Sequence, residues 1–200
     1  MSETDVIDVD TTTEDVRKVT TVGESLTMSY YVCQPGRWTF QSDKIRGWLQ
    51  RHLRGSVLNA CAGKSFLDHD DVIRNDLDSD RAADTHHDVR EIAAHFEAGS
   101  FDTIVYDPPF NDRQAVEKYD GQTIGPKGDA QAKRQFHQLL RPGGRVVQFG
   151  YSSTCMPGEL GYSREAVAVF NAVGPATRND VLGVVDRRLN GDITEVVRRD

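Results

Sequence analysis

The stretch Phe101-Asp102-Thr103-Ile104-Val105-Tyr106-Asp107-Pro108-Pro109-Phe110 brings together an acid, two prolines and an aromatic ring. These residue types suit one kind of chemistry. Asp107 can accept a hydrogen bond from an amino group on a flat ring, and the carbonyl of Pro108 can accept a second. Holding both N–H groups turns the nitrogen toward sp3 character and aims its lone pair at an electrophile. Phe110 can stack on the ring that carries the amine. Asp-Pro-Pro by itself also makes a plain turn, and only the rest of the chain separates the two uses.

The elements that must position these residues are legible in outline. Ile104, Val105 and Tyr106 have the composition of a strand. The prolines stop it, because each fixes φ and lacks a backbone donor. In an open α/β sheet, ligands bind beyond the carboxyl ends of the strands. Upstream, Val57 and Leu58 begin a short buried strand that runs into Asn59-Ala60-Cys61-Ala62-Gly63-Lys64-Ser65. Gly63 there serves a turn or a ligand. Residues 72–76 read as a second strand ending in the acids Asp76, Asp78 and Asp80, with Asp78 the better helix cap. Residues 82–87 read as a third strand ending at Asp88. A helix from Val89 to Ala98 follows, with Asp88 as its possible N-cap.

Flanking segments complete the pattern. Residues 1–15 are acidic and Thr-rich, a flexible tail. Met28 to Cys33 is extended, and Gln34-Pro35-Gly36-Arg37 is a turn. Ser42 or Asp43 caps a helix through Leu53 with Ile45, Trp48, Leu49 and Leu53 on its apolar stripe. Lys44, Arg46, Arg51 and Arg54 form its other face, solvated by default and phosphate-contacting as the alternative. Residues 111–129 are expected as a loop over the site. A helix from about Ala130 ends at Arg141-Pro142-Gly143-Gly144. A strand follows over Val146 to Gly150, then a helix over residues 164–172. Val181 to Val185 and Ile193 to Val197 are two strands around Asn190-Gly191-Asp192.

Composition narrows the class. The length, 200 residues, suits one domain. With no apolar run long enough to span a membrane and no secretory signal, a soluble cytoplasmic protein without membrane contact is expected. Cys33, Cys61 and Cys155 are too few and too scattered for a disulfide framework or a metal site, and His86-His87 lacks zinc spacing. The net charge is −7, Asp dominates the acids and Arg the bases, as in proteins of salt-loving archaea and their viruses. Acidity then argues little against a nucleic-acid partner, since at molar salt the Debye length is about 3 Å.

In this order the elements resemble a class I S-adenosylmethionine-dependent methyltransferase. Asp107-Pro108-Pro109-Phe110 is similar to the signature of enzymes that methylate exocyclic or amide nitrogens, in which Asp, Asn or Ser precedes two prolines and Tyr, Phe or Trp follows them. The resemblance implies an α/β, Rossmann-like fold. Its mostly parallel sheet of seven strands has a C-terminal antiparallel hairpin and helices on both faces. It divides residues 16–200, a single domain, into an N-terminal extension (16–54), a cofactor half (55–110), the loop 111–129 and a C-terminal half (130–200). It implies S-adenosylmethionine as cofactor and no metal. Asn59, Ala60, Cys61, Gly63 and Lys64 resemble the family's first motif, although Asn59 replaces the usual Asp and Ser65 the usual second Gly. By the same resemblance Asp76 would hold the ribose hydroxyls and Asp88 the adenine amino group. Leu77 and Val89 would flank the adenine ring, and Asp107 would border both cofactor and substrate.

The implied reaction is methyl transfer to an exocyclic amino nitrogen of a nucleic-acid base, DNA adenine N6 before RNA guanine N2 or adenine N6. A protein amide or small amine is a third substrate class. A non-catalytic protein of the same fold that binds nucleic acid or a partner enzyme is the alternative of another kind. No long target-recognition insert follows the motif. Target contact therefore falls to residues 30–54, the loop 111–129, Arg187, Arg188, Arg198 and Arg199, or a partner chain.

Overall fold

The apolar runs that start at Val57 and Phe101 lie side by side in the middle of one sheet. The computed structural model describes residues 16–22, 26–33, 38–109, 124–172 and 179–190. Its strands are β1 (Val16–Val22), β2 (Leu26–Cys33), β3 (Val57–Asn59), β4 (Val72–Arg74), β5 (Phe101–Tyr106), β6 (Leu140–Gly150), β7 (Tyr162–Ala172) and β8 (Val181–Arg188). Among the described residues two α-helices accompany them, α1 (Asp43–His52) and α2 (Gly125–Leu139). The strands form one eight-stranded sheet in the order β1-β2-β7-β8-β6-β5-β3-β4. Neighbours β4, β3, β5 and β6 are parallel, and β8 is antiparallel to both β6 and β7. β2 adds to β7 in parallel, and β1 pairs with β2 antiparallel.

Side-chain alternation along the strands assigns each face its helix. Val57, Val105, Val147, Phe149 and Val185 pack against Ile45, Trp48 and Leu49 of α1. Leu58, Ile104, Tyr106, Val146 and Val184 pack against Ala132, Phe136 and Leu139 of α2. Burying each such side chain stabilises the fold by about 1.5–3 kcal/mol. The predicted stripe of α1 is thus its buried side, and the Trp48 indole meets Phe149 and Phe170 edge-on, 5.8 Å from each. Gly183 lies directly beneath that indole. A Cβ there would stand 2.6 Å from the ring, so a strand glycine is what admits the tryptophan.

Several local expectations fail for tertiary reasons. Residues 164–172 belong to strand β7, not a helix. Ala166, Ala168 and Phe170 are buried in alternation with half-buried Val167 and Val169, and that period of two overrides alanine's helix propensity. The antiparallel hairpin is accordingly β7–β8, whereas Ile193–Val197 lies outside the described residues. The helix over 89–98 is reduced to one 3-10 turn, Ile92–His95. The Ala93 N–H donates to the Gln135 side chain of α2, 3.2 Å away, instead of to a helical carbonyl. The third strand over 82–87 is a single bridge between Asn75 and Thr85. Helix α2 begins at Gly125, inside the expected loop. The tail 1–15, the turn 34–37, Phe110 and residues 111–123 lie outside the described residues.

Candidate functional site

The carboxyl ends of the parallel neighbours β5, β3 and β4 lie at the same edge of the sheet, where open α/β sheets form their crevice. β5 ends at Tyr106, and Asp107, Pro108 and Pro109 follow immediately, each half-buried. The hydroxyl of Thr39 donates to Oδ1 of Asp107 at 3.3 Å.

Beside it, the turn after β3 has no helix to stabilise it and is held by β4 instead. Gly63 adopts φ +54°, which any residue with a Cβ would find strained, and its N–H donates to Oδ2 of Asp76 at 2.7 Å. The Arg74 guanidinium donates to the Ser65 carbonyl at 3.2 Å and covers the exposed Phe66 ring 3.8 Å from its centroid. Asn75 binds the crevice together. Its side-chain nitrogen donates to the Ala60 and His87 carbonyls at 3.0 and 2.9 Å. Its side-chain oxygen accepts from the Thr85 hydroxyl and the His87 N–H at 2.9 and 2.8 Å. Sequence reasoning passed over Asn75. The available signal was an amide inside a strand, where Asn is disfavoured.

The Cys61 thiol feels several of the predicted acids. Burial pushes the Cys61 thiol well up, and the charges of Asp76, Asp107, Asp88 and Asp129 push it the same way. Asp76 and Asp107 follow the ends of β4 and β5, whereas Asp88 follows the isolated Asn75–Thr85 bridge and ends no strand. Asp129 was not foreseen. It sits in the first turns of α2 and pairs with the buried Lys133 at 2.8 Å. Asn59 is fully buried, and neither atom of its amide has a hydrogen-bond partner among the described residues. Burying such an amide without a partner is costly.

Other predicted residues take different places. Asp76 is buried, and besides the Gly63 N–H it accepts from the N–H of Asp78 at 3.0 Å. Each carboxylate oxygen carries two lone pairs, so acceptor capacity remains. Asp78 caps no helix. It closes a turn by accepting from the N–H of Asp80 at 2.9 Å and pairs with Arg81. Asp88 caps none either. Its Oδ1 accepts the Arg90 N–H at 2.9 Å, and its pairing with the Arg90 guanidinium lowers its carboxyl below the usual range. Leu77 is exposed, whereas Val89 packs in the core beside Ile92. Ala60 is buried. Exposed Lys64 holds its ammonium 5.9 Å from the Trp38 ring centroid.

The cations considered for target contact are largely engaged within the fold. Lys44 donates to the Val32 carbonyl at 2.6 Å and Arg51 to the Tyr31 hydroxyl at 2.7 Å. Arg187 pairs with Glu165 at 3.3 Å, and Arg188 donates to the His137 carbonyl at 3.0 Å. Arg198 and Arg199 lie outside the described residues. Among the described residues no His, Cys, Asp and Glu cluster suits a metal ion, and no helix is long and apolar enough to cross a membrane.

Solved structures share this architecture. TrmN from Thermus thermophilus is 17% identical with a TM-score of 0.55, over 76% of this chain and 50% of that one. A SAM-dependent methyltransferase from Methanosarcina mazei is 10% identical with a TM-score of 0.51, over 72% and 98%. The 1,6-didemethyltoxoflavin-N1-methyltransferase of Burkholderia thailandensis, solved with S-adenosylhomocysteine, is 16% identical with a TM-score of 0.52, over 72% and 76%. This chain therefore spans half the length of TrmN. No protein-family model and no curated protein matches the sequence. The structural likenesses establish the fold, a Rossmann-like fold of the class I methyltransferase type.

Proposed function

We propose that this chain is an S-adenosylmethionine-dependent methyltransferase acting on an exocyclic amino nitrogen of a nucleic-acid base, with DNA adenine N6 the first choice. The observation that carries this reading is that Asp76 and Asp107 follow the carboxyl ends of β4 and β5, the two strands that flank β3, with the Gly63 N–H of the β3 turn bound to Asp76. Carboxylates at that edge of the sheet suit a cofactor bearing a sulfonium and an ammonium. In this reading Asn59, Gly63, Lys64, Asp76 and Asp88 hold the cofactor, with Leu77 against its adenine.

The cofactor supplies an electrophilic methyl group. The chain supplies orientation and charge. Asp107 and the Pro108 carbonyl each accept one N–H of the substrate amine, which fixes the nitrogen lone pair and stabilises the positive charge that grows on it. No strong base is needed, because the nitrogen becomes acidic as it is alkylated. Within a duplex the base must first leave the stack, and Phe110 offers a ring for it to lie against.

Asp107→Ala is expected to lower methyl transfer at least 100-fold, on the order of 3 kcal/mol of transition-state stabilisation. S-adenosylhomocysteine should bind the variant as it binds the wild type in calorimetry. Mass spectrometry of nucleosides from DNA and RNA of expressing cells names the base. Retained transfer in Asp107→Ala would remove the carboxylate from the reaction. Failure of the wild type to bind cofactor at all would favour a non-catalytic protein of this fold.

A further inference from the structure

A carboxylate that must grip an amine needs its own orientation fixed. Asp107 stands one residue past the end of β5, beyond the last ladder pair, Tyr106 with Gln148. The prolines after it set the backbone, and its side-chain torsions are set by what that side chain meets. One group that meets it comes from far upstream: the Thr39 hydroxyl, at 3.3 Å from Oδ1 and 68 residues away in sequence.

Thr39 is itself well anchored. It opens the 3-10 turn Thr39–Gln41. The Gln41 N–H donates to the Trp38 carbonyl at 3.1 Å, and the Trp38 N–H donates back to the Gln41 side chain at 3.3 Å. The next residue, Phe40, is 4% exposed and inserts its ring into the core, edge-on to Phe149 at 5.1 Å. On the other side the Trp38 ring lies beside Lys64 and Arg81, which follow β3 and β4. A core ring on one flank and the crevice wall on the other leave Thr39 little freedom. As a β-branched residue it has few side-chain rotamers of its own. The bond is longer than the usual hydroxyl–carboxylate distance, as is common in unliganded sites that tighten on binding substrate.

We propose that Thr39 is a positioning residue of the transfer site, whose hydroxyl holds the Asp107 carboxylate in the orientation that receives the substrate amine. The segment Trp38–Gln41 is then a wall of the site and not merely a lead into α1. The inference rests on the function proposed above for what Asp107 does, but the orientation of Asp107 can be read without any substrate.

Two variants separate the hydroxyl from the shape. Thr39→Val keeps the branched outline and removes the donor, and Thr39→Ser keeps the donor. With radiolabelled S-adenosylmethionine and unmethylated DNA, or bulk RNA in a parallel arm, Thr39→Val should lose about tenfold in kcat. Its affinity for S-adenosylhomocysteine should stay within about twofold, and Thr39→Ser should recover most of the rate. Three-bond Hα–Hβ couplings of Asp107, measured by NMR without substrate, should report one rotamer in the wild type and in Thr39→Ser, and averaging in Thr39→Val. Wild-type couplings and kcat in Thr39→Val would overturn the proposal, as would a Thr39→Ser variant as impaired as Thr39→Val. A wild-type chain that methylates neither polymer refutes the assigned substrate, and the couplings then decide Thr39 alone.

Discussion

Asn75 makes the case for the single residue. Its amide uses both donors and both acceptor positions on groups that belong to separate segments of the crevice: Ala60, Thr85 and His87. Asn75→Ala leaves a buried carbonyl at Ala60 and an N–H at His87 without partners. Each such loss costs about 1–3 kcal/mol. The variant should lose about 3 kcal/mol in urea denaturation. Its affinity for S-adenosylhomocysteine should also fall, because the β3 turn and the segment carrying Asp88 would no longer share a clamp. The orphaned Asn59 makes the converse point. Its amide is buried without a hydrogen-bond partner among the described residues, which costs stability.

At the scale of elements, the sheet does the work that crossover helices do elsewhere. The link from β3 to β4 has no helix, and Arg74 and Asn75 hold it from the neighbouring strand. α1 and α2 are the only α-helices on the two faces among the described residues, so the fit of α1 to the sheet carries much of the packing. Gly183→Val tests this. Side-chain atoms placed where a bare Cβ already comes within 2.6 Å of Trp48 must push the helix outward. A loss of about 1–3 kcal/mol or more is expected from overpacking, with a shift of Trp48 fluorescence toward longer wavelength as the indole gains water.

Over the whole molecule, charge sets the response to pH. His52 packs on Trp48 and is partly buried, and burial together with Arg145, Arg51 and Arg54 pushes its pKa down to about 4. The unfolded chain takes this proton near pH 6.5, and the folded chain refuses it until about pH 4. Stability is therefore full above pH 6.5 and falls between there and pH 4, where the unfolded state binds more protons. Discounted for partial exposure, His52 contributes about 2 kcal/mol to that fall. Burial lowers His87 and His137 too, with the same sign. His52→Gln should flatten the difference between urea midpoints at pH 7 and pH 4.5, and an unchanged difference would remove His52 from the account. The same basic neighbourhood holds Arg145 and Arg187 directly opposite each other on β6 and β8, with Glu165 shared between them.

What local sequence could determine, it did. The β-branched run before two prolines ends a strand wherever it sits, so Asp107 at the tip of β5 followed from Ile104 to Pro109 alone. The apolar stripe from Ile45 to Leu53 and the left-handed Gly63 are equally local, since period and backbone sterics need no distant partner. Tertiary structure decided the rest. Residues 164–172 became a strand because β2 and β8 offered hydrogen-bonding edges on both sides, which no property of Ala166 or Ala168 announces. Asp88 turned to Arg90 instead of capping a helix, because the residues that would have formed it pack against α2 and Phe101. Thr39 met Asp107 only because Phe40 found its place in the core. Periodicity records what a residue's neighbours in sequence require, and contacts between segments far apart in sequence form only when burial and the sheet bring those segments together.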